Sequence, residues 1–246
     1  MWRFFHQWGS PKPFYELSGR FLPWVGTLSV LVLAAGLGWG LLFAPADYQQ
    51  GHSVRIMYIH VPAAIVAQSS YVLMALCALV SLIWRMKLAD VAFTTLAPIG
   101  AIITALALVT GAIWGKPTWG TYWVWDARLT TTLLLFLIFL GYFLLRLSVQ
   151  DREKEARFAS VLGIIGFLDI PIVHKSVEWW RTLHQPSTLF KVQEGAAKPA
   201  MPPELLYPLL ACMFAMLLFY GYLLLLRWQM EENQDQLHEA LAQEVS

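Results

Sequence analysis

The chain has 246 residues, of which 58% are hydrophobic and only 13% charged, outside the range of soluble domains and inside that of membrane proteins. Its net charge of +1 excludes a nucleic-acid partner, because phosphate binding needs clustered Lys and Arg. Cys77 and Cys212 both fall inside apolar runs, which excludes a structural disulfide and a CxxC metal or redox site.

Apolar runs long enough to span a bilayer, about 20 residues each, occupy 21–43, 61–84, 91–113, 129–149 and 205–226. A sixth run, 158–173, is shorter and carries Asp169 and Pro171; without it the basic clusters fall on both sides of the bilayer. The chain therefore reads as an all-α integral membrane protein, one polytopic domain over 1–246 with a bundle of six transmembrane helices. No internal repeat or low-complexity tract interrupts it. The first run precedes Ala44-Pro45-Ala46, which loosely imitates a signal-peptidase site, but the run is too long for a signal peptide and reads as an uncleaved anchor.

Basic residues sort by connection. Arg3, Lys12 and Arg20 before the first helix, Arg85 and Lys87 after the second, Arg146, Arg152, Lys154 and Arg157 after the fourth, and Arg227 after the sixth make ten of the 17. Short cytoplasmic connections are enriched in such residues, so both termini are expected in the cytoplasm and the loops after helices one, three and five outside. Those outer loops are the longer ones, where function concentrates. The acidic tail 228–246 reads as a short solvated helix or a frayed end.

The segment 114–128 follows the third helix and holds Trp114, Trp119, Trp123 and Trp125, four of the chain's 12 tryptophans. Trp24, Trp39, Trp84 and Trp228, each near a helix end, fit an interfacial aromatic belt. A belt does not explain a dense group broken by Gly115, Pro117 and Gly120. Glycines let a flat ligand approach the backbone, and the rings, with Tyr122, offer apolar faces for a large planar molecule. Asp126 either caps the next helix or pairs with Arg128.

His60 closes the first outer loop, ahead of Val61-Pro62. In the third outer loop, 176–185 reads as a short amphipathic helix ended by Pro186, with Val177, Trp180 and His184 on one face. His174 would lie about 280° away from His184 on a continuous helix and so is set behind it. His60, the tryptophans and His184 all follow odd-numbered helices, so they share one membrane face whichever way the protein is oriented. Two histidines around an aromatic platform suit haem, with Arg55, Arg128 and Arg181 on the same face for its carboxylates and Lys116 as a weaker candidate. A lipid or quinone site, or ordinary structural loops, remain open on residue types alone.

The run WGKPTWGTYWVWDARLT is similar to the WWD signature of haem-handling membrane proteins. With FAPADYQQG, YIHVPAA, APIGA, ALVTG and VEWWRTLHQ, it makes the chain from Pro23 to about Leu226 resemble the CcmC family, haem exporter protein C of bacterial cytochrome c maturation. The resemblance implies that His60 and His184 are axial ligands of an outward-facing haem b. It also implies that Trp114, Gly115, Trp119, Gly120, Tyr122, Trp123, Trp125, Asp126 and Trp180 belong to its platform. A bacterial inner-membrane location is implied, with periplasmic loops that present haem to the chaperone CcmE, which binds it covalently, beside CcmA, CcmB and CcmD. Tyr122 stands where a tryptophan is expected, and Asp169 where an uncharged polar residue is expected; Asp169 is read as paired within the bundle or interfacial beside His174. The rival reading is a subunit that itself moves haem across the bilayer. An intramembrane enzyme finds no support, since HExxH, GxSxG and GxxxxGK[ST] are all missing from the sequence.

Overall fold

The computed structural model describes residues 11–149, 151–185, 190–193, 196–199 and 201–245. The expectations placed on Arg3 and Pro186 lie outside them. The described residues form seven α-helices: α1 Pro11–Gly38, α2 Met57–Trp84, α3 Lys87–Trp119, α4 Ala127–Ser148, α5 Arg152–Gly166, α6 Asp169–Trp179 and α7 Pro203–Val245. One π-helical turn, Trp39–Phe43, extends α1, and a 3-10 turn, His52–Ile56, leads into α2. An antiparallel hairpin of β1 Phe190–Gln193 and β2 Ala196–Pro199 lies between α6 and α7.

Among the described residues, six helical stretches are long and apolar enough to cross a bilayer, as the six runs require. The fifth is built from α5 and α6 together, Lys154–Trp179. A two-residue break at Phe167 and Leu168 separates them, bridged by hydrogen bonds from the Phe167 and Leu168 amides to the Ile164 and Ile165 carbonyls. Asp169 opens α6 with only 5% of its surface exposed. Neither carboxylate oxygen has a hydrogen-bond partner among the described residues, so the pairing expected of it is not found there. Its place in the first turn sets it at the positive end of the α6 dipole.

The helices run further than the hydropathic runs. α2 begins at Met57, so His60 lies inside it rather than ahead of it, and Pro62 lies within it as expected. α3 continues to Trp119 and takes in Trp114, Gly115 and Pro117; Gly120, at φ 79°, ends it by returning its N–H to the Lys116 carbonyl. α7 absorbs most of the acidic tail. The amphipathic helix expected over 176–185 is shorter. α6 stops at Trp179, because Trp180 turns extended (φ −128°, ψ 158°), and His184 lies beyond in irregular chain.

α2 and α3 form the most extensive helix pair; α1 packs on α7, which in turn leans on α2. Without a hydrophobic force between helices in lipid, close approach and hydrogen bonds hold them. Ala63, Ala67 and Ala78 of α2 and Ala97 and Ala107 of α3 are buried in one core cluster. Aromatic edges fill the larger gaps: Tyr71 meets Phe139 at 5.1 Å and 73°, and Phe93 meets Tyr142 at 5.0 Å and 89°. Ser70 Oγ donates to Tyr220 Oη at 2.7 Å, tying α2 to α7.

Gly100 marks a contact with no spare room, since a β-carbon there would lie 2.6 Å from the Phe139 ring. Gly100→Leu should therefore destabilise the bundle by about 1–3 kcal/mol, seen as a lower melting temperature of the detergent-solubilised protein. Gly221→Leu, where a β-carbon meets nothing within 4 Å, should leave it unchanged.

Candidate functional site: an aromatic cavity with two histidines

Where α2 begins and α3 ends, the bundle opens into a cavity of about 340 Å³. α2 supplies His60, Ala64 and Gln68; α3 supplies Gly111, Trp114 and Trp119; α4 supplies Arg128, Thr132 and Leu135; α6 supplies His174; and the following loop supplies His184. Trp123 joins from the α3–α4 connection. Segments expected on one membrane face thus meet at one end of the bundle.

His60 points across the seam. Its Nδ1 lies 3.0 Å from the Ala107 carbonyl and 3.2 Å from Thr110 Oγ1. A carbonyl only accepts, so Nδ1 carries the proton and the Nε2 lone pair is left free. His184 repeats the arrangement with its Nδ1 2.8 Å from the Gln185 carbonyl. The two ring centroids are 6.4 Å apart and tilted by 41°. Burial, with the Arg128 charge adding to it, holds the His184 imidazole below its ordinary pKa and so neutral at pH 7. Two neutral imidazoles with free Nε2 atoms are ready metal ligands.

The rings crowd this pair. His60 meets the Trp114 ring edge-on at 5.7 Å and 73°, and His184 sits 6.3 Å from Trp119. Trp114 is fixed by its Nε1 donating to Gln50 Oε1 at 2.8 Å. The Trp123 ring leans on Trp125 at 5.5 Å, with its own Nε1 buried and without a partner among the described residues.

Several expected site residues stand elsewhere. Arg55 donates to the Leu41 and Ala44 carbonyls at 2.8–3.2 Å, closing the end of the first span instead of facing the cavity. Arg181 and Trp180 are exposed beyond the end of α6, outside the cavity lining. Trp125, 76% exposed, and Tyr122 flank the cavity from outside, Tyr122 under the Lys116 ammonium at 5.4 Å. Gly120 serves as the α3 terminator. Asp126 is the α4 cap, its Oδ1 accepting the Leu129 N–H at 2.8 Å. Of the three arginines, only Arg128 lines the cavity. Its Nη2 donates to the His174 carbonyl at 3.4 Å, while its Nε is buried and unpartnered among the described residues.

Sequence reasoning set His174 aside on the assumption of a continuous helix; the break at Trp180 lets His174 and His184 border the same space. It also passed over Gln50, Gln68, Thr132 and Gly111. A β-carbon at Gly111 would sit 2.8 Å from His60 Cε1, so only glycine leaves room for that ring. Gly111 ends the stretch ALVTG, whose spacing alone carries no sign of the histidine opposite.

A six-span helical membrane protein with a histidine-bearing aromatic cavity at one end is the class these features define. Residues 4–243 match the model of the family described as "Heme exporter protein C" (CcmC). Curated proteins of that name are similar over nearly the whole chain. The Haemophilus influenzae protein is 47% identical over 94% of this chain and 92% of its own. The Escherichia coli K12 protein is 47% identical over 92% and 90%, and the Paracoccus denitrificans protein 38% identical over 97% of each. The chain belongs to the CcmC family.

Because Asp126 acts through its cap, Asp126→Ala should lower stability by about 0.5–2 kcal/mol, whereas Asp126→Asn should stay within a few tenths of wild type. Thermal unfolding of both variants in one detergent separates the cap from the charge.

Proposed function

We propose that the cavity binds haem b as cargo, with His60 and His184 as axial ligands, and presents it to the chaperone CcmE during cytochrome c maturation. The observation that carries this reading is the 6.4 Å separation of the two imidazole centroids. A metal–nitrogen bond of about 2.0 Å on each side, plus the distance from nitrogen to ring centre, gives roughly 6.3 Å for two imidazoles sharing one iron. Both Nδ1 atoms are engaged with carbonyls, the hydrogen bond that orients a ligating histidine and raises its basicity.

The remaining lining fits the same molecule. Trp114, Trp119 and Trp123 supply apolar ring faces. The unpartnered Nε of Arg128 and Nε1 of Trp123 are donors of the kind a haem carboxylate accepts. Haem supplies the iron and the reactive porphyrin edge. The protein's residues bind, orient and cover it, which is delivery without bond chemistry. Lining residues all from one end of the bundle favour presentation over passage through it. The cavity end faces the periplasm in this reading and both termini face the cytoplasm, since Arg85, Arg146, Lys154 and Arg157 gather at the opposite end. CcmA, CcmB and CcmD complete the assembly in the bacterial inner membrane, and any energy input comes from the partners.

His60→Ala together with His184→Ala should lose most co-purifying haem, with free imidazole restoring part of it, as read from the visible absorption spectrum. Normal haem content in the double variant would refute the ligand assignment. Gly111→Val, which displaces the His60 ring, should change the ligand-sensitive bands while leaving the membrane-inserted protein intact.

A further inference from the structure

At the other end of the bundle the last turn of α2, the first turn of α3 and the middle of α5 enclose a second cavity, also about 340 Å³. Ser81, Arg85, Asp90, Arg157 and Ser160 line it. Its depth is set by α2: 25 residues separate His60 from Arg85, about 37 Å at 1.5 Å per residue. That exceeds the roughly 30 Å of bilayer hydrocarbon, so a cavity at Arg85 lies in the headgroup layer opposite the aromatic one. Trp84, 52% exposed on the last turn of α2, marks the same interface.

Arg85 is held in an unusual way. Its backbone is left-handed (φ 51°, ψ 39°), the only positive φ outside glycine among the described residues, and its N–H closes α2 on the Ser81 carbonyl at 2.9 Å. Glycine or asparagine normally takes that position. Here the turn instead places a guanidinium at the cavity mouth. Nearby Arg146 is fully engaged, with Glu155, with Thr94 Oγ1 at 2.5 Å and with Tyr142 Oη at 2.7 Å. The Arg85 and Arg157 side chains have no hydrogen bond or ion pair among the described residues. Asp90, the one carboxylate in the lining, has an interaction of its own. Two guanidiniums against one carboxylate leave a single net positive charge, beside two serine hydroxyls.

We propose that this cavity binds the singly charged phosphodiester headgroup of an anionic lipid, gripped by Arg85 and Arg157. Guanidiniums give phosphate oxygens paired, charge-assisted hydrogen bonds, and the serines are placed to bond the headgroup's outer oxygens. The acyl chains follow the exposed apolar surface of Leu82 and Phe158 into the bilayer. A free phosphate shares the chemistry but lacks those chains, so the two sources are separable by experiment.

The full-length protein, purified in detergent, is titrated with phosphatidylglycerol or phosphatidylcholine and examined by native mass spectrometry. Phosphatidylglycerol should be retained at least tenfold better, and Arg85→Gln with Arg157→Gln should reduce it to the phosphatidylcholine level. The corresponding lysine pair should recover part of the preference. Arg157→Gln alone, at an exposed helical position, should give an intermediate loss and keeps the test decisive if the turn at Arg85 does not tolerate change. Unchanged retention in the glutamine variants would overturn the site. Displacement of phosphatidylglycerol by equimolar glycerol phosphate would overturn its assignment to lipid.

Discussion

The α2–α3 seam is the contact on which the rest of the molecule depends. There the two backbones approach closely enough for a side chain of one helix to bond the main chain of the other. His60 uses that closeness, passing Gly111 to reach the Ala107 carbonyl. The same seam carries Gly100 against Phe139 and so fixes α4 beside α3. A bulkier seam would lose the hydrogen bond that sets the His60 tautomer, and with it the free nitrogen.

In a hydrocarbon surrounding, a buried imidazole is favoured neutral, and neutrality is what a metal ligand requires. The cavity exploits this. Its only lining arginine lies beside His184 and discourages protonation, while the Nδ1 positions are taken by carbonyls. One charge therefore serves two ends: it holds the imidazole neutral and offers an unpaired donor to an anionic ligand.

Much of this was legible in the sequence, for reasons that differ by feature. Six spans follow from hydropathy because the bilayer enforces length, and the shared face of His60, the tryptophans and His184 follows from counting spans. Element ends were less visible. Hydropathy stops where lipid stops, yet α3 continues through polar Lys116 and Pro117 until Gly120 supplies the left-handed turn. The place of His174 beside His184 is not legible, because nothing in residues 176–185 announces the extended backbone at Trp180. Arg55 was unreadable in another way. A sequence shows that a cation is near a site, but not that the unsatisfied carbonyls of Leu41 and Ala44 will claim it first.

The two ends of the bundle answer opposite demands with the same backbone rule. At the basic end a single left-handed residue, Arg85, reverses the chain between α2 and α3 within a two-residue connection. At the aromatic end the chain must wall a cavity, which regular helices in parallel do not close. It therefore breaks its helices at Gly120 and at Trp180, and each break delivers a ring to the cavity: Trp123 from the first and His184 from the second. Irregular backbone is tolerated at membrane depth only where protein or an occupied cavity satisfies it. The hydrogen bonds of Thr121 Oγ1 to the Trp123 carbonyl and of His184 Nδ1 to the Gln185 carbonyl meet that need, so the loops are part of the site's wall rather than links between its helices.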